Sequence, residues 1–402
     1  MSSVSSTEHA EAPLAETPDI HGAYPRLSDD QIEILETGGV RRPIRPGDIL
    51  VREGTCSDEF FVILSGKVAI IAEDDTGKRR IIRVHGSRRF LGELGDLEGR
   101  AAFYTAEVVE AGEALAVPAG RVRRLVAHDL VLSDLILRAY LMRRSLLIEQ
   151  GAGFRIIGSC YDPDTARLRE FAARNHLPHR WLDLERDGNA ERLLRRFGIS
   201  PQHTPVVIWG RDVLRNPTNK ELARRVGLPV PDRVQDERDL VVVGAGPAGL
   251  GAAVYGASDG LRTTAIESTA VGGQAGTSSR IENYLGFPAG ISGADLAERA
   301  ALQAVKFGTR IAVSADATEL ESEGGQHQIR LADGTCVICR ALVVATGARY
   351  RKLAVPGVEA FEGNGVYYAA TNQEALACGT DPVVVVGGGN SAGQATLYLA
   401  SR

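Results

Sequence analysis

Apolar positions along this chain follow three successive rhythms. After a helical stretch from Leu27 to Leu35, short apolar runs appear at Asp48–Val51, Phe60–Leu64, Val68–Ile71 and Ile81–Val84. Gly47, Gly54, Gly66, Gly77 and Gly86 punctuate them. Brief strands set off by glycine predict an antiparallel roll or jelly-roll. Apolar residues at three- and four-residue spacing then predict a helix from Leu125 to Ile148. From Phe154 the pattern alternates: strand Phe154–Gly158, helix Thr165–Asn175, strand Arg180–Leu184, helix Ala190–Phe197, strands Val206–Trp209 and Val213–Leu214, and helix Asn219–Val226. That is a β-α-β-α-β-β-α order, an α/β unit of its own. The third rhythm is a strand of unbroken apolar residues, Asp239–Val243, running into glycines and a helix of small residues, Leu250–Asp259. Strand patterns recur at Arg262–Glu267, Ala341–Val344 and Val383–Val386.

Composition narrows the class. A chain of 402 residues has room for two to four domains. Residues 1–22 are polar, with no basic start before an apolar core, and read as a disordered tail rather than a signal peptide. No apolar run approaches the ~18 residues that would cross a bilayer, so no membrane partner is expected. The net charge of −5 gives no reason to expect nucleic acid. Cysteines at 56, 160, 336, 339 and 378 are too scattered for a disulfide framework. A reducing, cytoplasmic setting is expected. No paired ligand set suggests a metal.

The candidate chemistry begins at Gly244-Ala-Gly246-Pro247-Ala248-Gly249, directly after the Asp239 strand. Gly244 suits a tight turn, Gly246 lets a pyrophosphate approach the backbone, and Gly249 allows close packing of helix on strand. Free N–H groups and the dipole at the helix start favour the phosphates. Glu267, at the end of the next strand, is placed to bond ribose hydroxyls. Together these predict a dinucleotide site. A second strand–glycine–helix start at Gly387-Gly-Gly389-Asn390-Ser391-Ala392 reads the same way.

Three resemblances refine these segments. Pro46-Gly47-Asp48, Phe61–Gly66 and Phe90–Leu94 resemble a cyclic nucleotide-binding domain. The resemblance implies that Gly92, Glu93 and Leu94 open a phosphate-binding turn, with Arg100 and Ala101 meeting the phosphate and Glu93 the ribose. Asp96 and Glu98 in that turn would oppose a phosphate, so a docking or structural role stays open. No helix-turn-helix follows. Residues 151–235, with Thr204-Pro205 leading a strand, resemble a thioredoxin-like domain, which implies a cis Thr204–Pro205 bond. Where that family carries Cys-x-x-Cys, this chain has Ser159-Cys160-Tyr161-Asp162. Cys160 near a helix N-terminus is expected to have a lowered thiol pKa, either as a monothiol or as an incidental residue.

Gly272-Gly273-Gln274, Ile281–Phe287 and Leu342–Gly347 resemble thioredoxin reductases. The resemblance implies FAD held by Gly244, Gly246, Glu267, Gly273, Gln274, Asn283, Thr346 and Gly347. It implies NADPH at Gly387, Gly389, Asn390, Ser391 and Ala392. Two departures stand out. The family's redox Cys-x-x-Cys is replaced by Ala369-Ala370-Thr371-Asn372, which cannot perform disulfide exchange. Cys336 and Cys339 have the right spacing but lie in a strand pattern, where residues three apart face opposite ways. The chain also ends inside the first helix of the NADPH motif, and open sheet edges are expected to reduce its stability.

The expected fold is multi-domain: tail 1–22, cyclic nucleotide-binding-like β-roll with helices 23–150, thioredoxin-like α/β 151–235, and a partial Rossmann-type FAD/NAD(P)-binding α/β, with FAD half 236–358 and partial NAD(P)H half 359–402. The expected function is a flavin-dependent NAD(P)H oxidoreductase, regulated by its N-terminal domain, whose electron acceptor and catalytic residues the sequence does not name. The alternative is a non-catalytic sensor of a cyclic nucleotide or a partner with a vestigial flavin module. A homodimer is left open.

Overall fold

The structure, a computed structural model, describes residues 14–73, 79–92, 99–210, 212–231, 237–278, 280–348, 351–362, 365–370, 374–375 and 378–401. The chain divides into two compact units, Met1–Gly153 and Phe154–Arg402.

The first unit opens with α1 (Asp29–Glu36), started by a capping box in which Ser28 and Gln31 satisfy each other's backbone N–H groups. Strands β1 (Val40–Ile44), β2 (Ile49–Val51), β3 (Glu59–Glu73), β4 (Arg79–His85) and β5 (Thr105–Pro118) form an antiparallel sheet in the order β1-β5-β3-β4, with β2 also on β5. Ile63, Val68, Val108 and Ala114 are among the residues closing its apolar core.

The sequence expected separate strands at 60–64 and 68–71, but β3 runs straight through Gly66. The extra length is absorbed by register shifts against β5 from Ile63 to Val68. Gly66 has φ +83°, and a Cβ there would lie 2.6 Å from the Glu110 carbonyl oxygen. Gly112 faces it, and a Cβ there would be driven into the Ser65 carbonyl. Glycine therefore marks a bulge rather than a strand end.

The single helix expected over 125–148 is two: α2 (Ala119–His128) and α3 (Leu130–Glu149). Asp129 separates them. Its extended backbone (φ −97°, ψ 112°) stops α2, and its carboxylate accepts from Leu132 N at 2.8 Å to start α3.

The disordered tail expected over 1–22 does not hold for residues 14–22. Residues 1–13 lie outside the described residues, but Thr17 donates to Val84 O at 3.0 Å and accepts from Val84 N on its hydroxyl at 2.9 Å. Glu16 pairs with Arg26 and with the buried Arg89. Hydrogen bonds and charge hold this strap where composition alone predicted disorder.

Under the strap, Arg143 of α3 donates to Ala23 O and Gly92 O, both at 2.7 Å, and lies 4.4 Å over the Phe90 ring. Next to it His85 is buried, edge-on to Tyr24. Burial, then the Arg143, Arg89 and Arg83 charges, holds the His85 imidazole well below its ordinary 6.5.

In the second unit, β6 (Phe154–Gly158), β7 (His179–Asp183), β8 (Val206–Trp209) and β9 (Asp212–Arg215) form a sheet in the order β7-β6-β8-β9. β6 and β7 are parallel; β8 and β9 are antiparallel additions. Helices α4 (Pro163–Arg174), α5 (Gly188–Arg196) and α6 (Asn219–Arg225) complete the segment. The Thr204–Pro205 bond is cis.

The remaining sheet, in the order β12-β11-β10-β15-β14-β13, is built from β10 (Arg238–Val243), β11 (Thr263–Ile266), β12 (Arg310–Ala312), β13 (Ala317–Glu323), β14 (Gln326–Leu331) and β15 (Cys336–Val344). β12, β11, β10 and β15 are parallel, and β13–β15 form an antiparallel meander. Alternation along β10 serves both faces. Leu240 and Val242 pack with α7 (Pro247–Ser258) and α8 (Gly293–Lys306), while Val241 packs with Ile329, Leu331 and Cys339. In this sheet α8, β12 and the β13–β14 hairpin went unread in the sequence, as did β1 and β5 in the first unit.

The expected strand at Val383–Val386 does not form. These valines are exposed and belong to no regular element, with no described strand beside them to complete a ladder. The helix after them, α9 (Asn390–Ala400), does form.

Two outcomes are expected. Gly112→Ala should destabilise the first unit by about 1–3 kcal/mol in urea unfolding, through overpacking at the bulge. Neutral His85 contributes stability that is fully present above about pH 6.5 and is lost as pH falls, because only the unfolded chain takes up the proton. The loss should grow as pH falls below about 6.5 and be absent from the His85→Gln variant.

Candidate functional site

The second unit concentrates its chemistry at the carboxyl ends of β10, β11 and β15. β10 runs between β11 and β15, with Val243 beside both Ile266 and Val344. The chain then turns on Gly244, at φ +102°. A Cβ at Gly244 would strike the Ala345 carbonyl, and one at Gly249 would strike the Gly244 carbonyl. Both positions therefore require glycine for α7 to start this close to the strand.

Gly246 is the N-cap of α7 and provides no side-chain cap. Pro247 at the first helical position has no N–H to satisfy, and the first turn carries no acidic side chain. A Cβ at Gly246 would meet nothing nearer than Gly273 Cα at 4.0 Å. The result is an uncapped helix start facing open space, with the N–H groups of Ala248 and Gly249 in its first turn. Such a site accepts an anion.

Glu267 is buried and has a second task that the sequence reading missed. Its Oε2 accepts from Ala245 N at 2.8 Å, and its Oε1 accepts from Thr269 N at 3.1 Å and the Ser268 hydroxyl at 3.3 Å. It thereby ties the glycine turn to the loop 268–273. A carboxylate has about four acceptor sites, so capacity remains for a ligand hydroxyl.

Gln274 donates to the carbonyl of Ala348, tying the loop to the segment after β15 that contains Thr346 and Gly347. Gly244, Gly246, Pro247, Ala248, Gly249, Glu267, Gly273, Gln274, Thr346 and Gly347 are thus connected through one strand-end cluster. Asn283 is exposed, and among the described residues no hydrogen bond ties it to the glycine turn. Gly387, Gly389, Asn390, Ser391 and Ala392 build a second uncapped helix start, with Gly389 as N-cap of α9. It is mostly exposed.

The segment around Cys160 departs from expectation. Helix α4 is already capped by Asp162, whose carboxylate accepts from Thr165 N at 2.8 Å. The Cys160 thiol is raised, not lowered, by burial and then by the charge and hydrogen bond of Asp183, which also accepts from Cys160 N at 3.2 Å. Asp183 is itself buried. Nearby, Arg169 stacks 3.5 Å over the Trp181 ring, and its burial lowers its pKa. Cys336 is half-buried and Cys339 fully buried on β15, both as free thiols; burial pushes the Cys339 thiol up.

In the first unit, Gly92 lines a shallow recess with Val51, Phe61, Leu91, Tyr104 and Tyr140. Arg100 and Ala101 are not part of that lining; Ala101 is buried in a bridge to Cys56. Glu93 and Leu94, with Asp96 and Glu98, lie outside the described residues. So do Thr371 and Asn372.

Comparison with known proteins divides along the same lines. Residues 238–402 match the pyridine nucleotide-disulphide oxidoreductase family, and residues 41–129 match the cyclic nucleotide-binding domain family. A thioredoxin reductase of Treponema pallidum is 39% identical over 167 residues, which is 42% of this chain and 53% of that protein. The 34.2 kDa protein in the rubredoxin operon of Clostridium pasteurianum is 38% identical over 165 residues, 41% of this chain and 53% of that protein. A solved thioredoxin reductase from Lactococcus lactis shares 33% identity with a TM-score of 0.36, covering 41% of this chain and 53% of that one. The chain spans about half the length of the curated relatives it matches. It joins a cyclic nucleotide-binding roll to an oxidoreductase domain resembling thioredoxin reductases.

The raised Cys160 thiol should react slowly with iodoacetamide at neutral pH. Removing the Asp183 charge by Asp183→Asn is expected to speed that reaction about three- to tenfold, read by mass spectrometry of the Cys160 peptide.

Proposed function

We propose that the chain is a flavin-dependent pyridine nucleotide oxidoreductase whose FAD rests on the glycine turn at Gly244–Gly249. The uncapped start of α7, facing open space across from Gly273, carries this reading. Its N–H groups and dipole favour a pyrophosphate. Glu267 anchors the turn and keeps acceptor capacity for ribose hydroxyls. Gly273, Gln274, Thr346 and Gly347 form the rim, and Asn283 belongs to the flavin-lining set through the family resemblance alone. Gly387, Gly389, Asn390, Ser391 and Ala392 would take the pyrophosphate of NADPH in the same way. When bound, the flavin would accept a hydride from reduced nicotinamide and pass electrons onward.

What this chain does with those electrons differs from its relatives' printed activity. Ala369 and Asn372 replace the cysteines of the disulfide relay, so reduction of thioredoxin is not proposed for it. We read residues 154–231 as a thioredoxin-like domain without a dithiol. The sheet order β7-β6-β8-β9, with Pro205 against the end of β6, supports that reading. Cys160, whose thiol pKa is raised by burial and then by Asp183, suits an adaptor better than a nucleophile.

The match of residues 41–129 favours a regulatory reading of the first unit, with a cyclic nucleotide at the turn that starts at Gly92. Arg100 would supply the phosphate contact. A non-catalytic sensor is the competing reading.

Purified protein is expected to show a flavin band near ~450 nm that NADPH bleaches, with the band lost in Gly249→Val. Colourless protein that is thermally stabilised by cyclic AMP or cyclic GMP would instead support the sensor.

A further inference from the structure

The loop 268–273 stands over the start of α7, and its inner side is fixed by the dinucleotide-binding unit itself. Gly272 donates to Ala245 O at 2.8 Å, and Thr269 N donates to Glu267 at 3.1 Å. Its outer side is held by a different part of the chain. At the C-terminal end of α4, the Asn175 side-chain amide donates to Thr269 O at 3.1 Å and to its own helix at Phe171 O, at 2.9 Å. One residue earlier, the Arg174 guanidinium donates to Gly273 O at 3.3 Å while pairing with Glu170, also at 3.3 Å. Asn175 is buried and Arg174 half-buried.

Both carbonyls so held belong to the loop that limits the open space at Gly246. A Cβ at Gly273 would lie 3.1 Å from Gly246 Cα, so displacement of Gly273 changes the room at the N-cap directly. Gly272 and Gly273 both have positive φ, 98° and 55°, and such backbone loses more freedom on ordering than other residues do. Without an outer clamp, that ordering would fall on the ligand when it binds.

We propose that Arg174 and Asn175 are positioning residues of the flavin site: the 154–231 domain fixes the loop 268–273 in place over the α7 N-cap. This rests on the flavin reading above. Further contacts dock the same domain elsewhere and do not touch the loop, among them Val313 N donating to Pro229 O at 2.9 Å. Lys220 pairs with Asp333 in the turn before β15, and Arg310 of β12 donates to Val230 O at 3.0 Å. Because docking and cofactor binding share the loop, each strengthens the other by the same factor. Arg174 and Asn175 would act through the loop carbonyls they hold.

The test is FAD affinity of the full chain, measured by quenching of flavin fluorescence on apoprotein, with thermal unfolding of each apoprotein alongside. Arg174→Gln combined with Asn175→Ala should weaken FAD about tenfold, or about 1.4 kcal/mol. Arg174→Lys, which keeps a cationic N–H donor group, should stay within about threefold of wild type, and Lys220→Ala should leave affinity unchanged. Wild-type affinity in the double variant would overturn the inference alone. An equal loss in Lys220→Ala would also overturn it, by assigning the effect to docking in general. Wild-type protein that binds no FAD would overturn this inference and the flavin reading together.

Discussion

The second unit depends on one close approach of backbone to backbone. Helix α7 begins so near the end of β10 that the Gly244 carbonyl occupies the place where a Gly249 side chain would start, and the Ala345 carbonyl excludes one at Gly244. Everything that makes the strand end chemically useful follows from that proximity. Pro247, N-capped by Gly246, begins the helix at the carboxyl edge of a parallel sheet. The first-turn N–H groups project from the helix start by helix geometry, and no side chain of the N-cap residue meets them. Burial of Glu267 is tolerated for the same reason: the turn and the adjoining loop supply the backbone N–H groups that its two oxygens need.

The site is correspondingly shared. The glycine turn and Glu267 are local, but the loop that bounds them is gripped by side chains from a domain nearly a hundred residues earlier, at separations of 94 and 99 positions. The loop beside the glycine turn therefore has a neighbouring segment built into its outer side. The proposed clamp would give residues 154–231 a task that needs no dithiol, one that depends on where their side chains press.

Much of this was legible in the sequence, and the misses have identifiable physics. The glycine fingerprint was readable because each glycine answers a steric demand within a few residues. The alternation at 154–226 was readable because helix and strand periods differ. Gly66 misled because a glycine at a bulge and a glycine at a strand end look alike until the partner strand, with Gly112 opposite, is known. Asp129 hid inside an apolar period that continues on both sides of it. The strap at 14–24 looked disordered because its partners, Val84, Arg89 and Arg143, are contributed from far along the chain. Cys160 was misjudged because the helix start nearest to it is already spent on Asp162, and because Asp183 arrives from another strand. Arg174 and Asn175 left no local signal at all.

The Arg143 clamp also bears on how the first unit is made. Its two carbonyl partners, Ala23 and Gly92, lie 120 and 51 positions before it. During synthesis the strap emerges first, and its pairing with Val84 becomes available as soon as β4 exists. The guanidinium that locks it is added only with α3. The earliest part of the roll to leave the ribosome is therefore among the last to be fully secured, held until then by Val84 and by the pairs of Glu16 with Arg26 and Arg89.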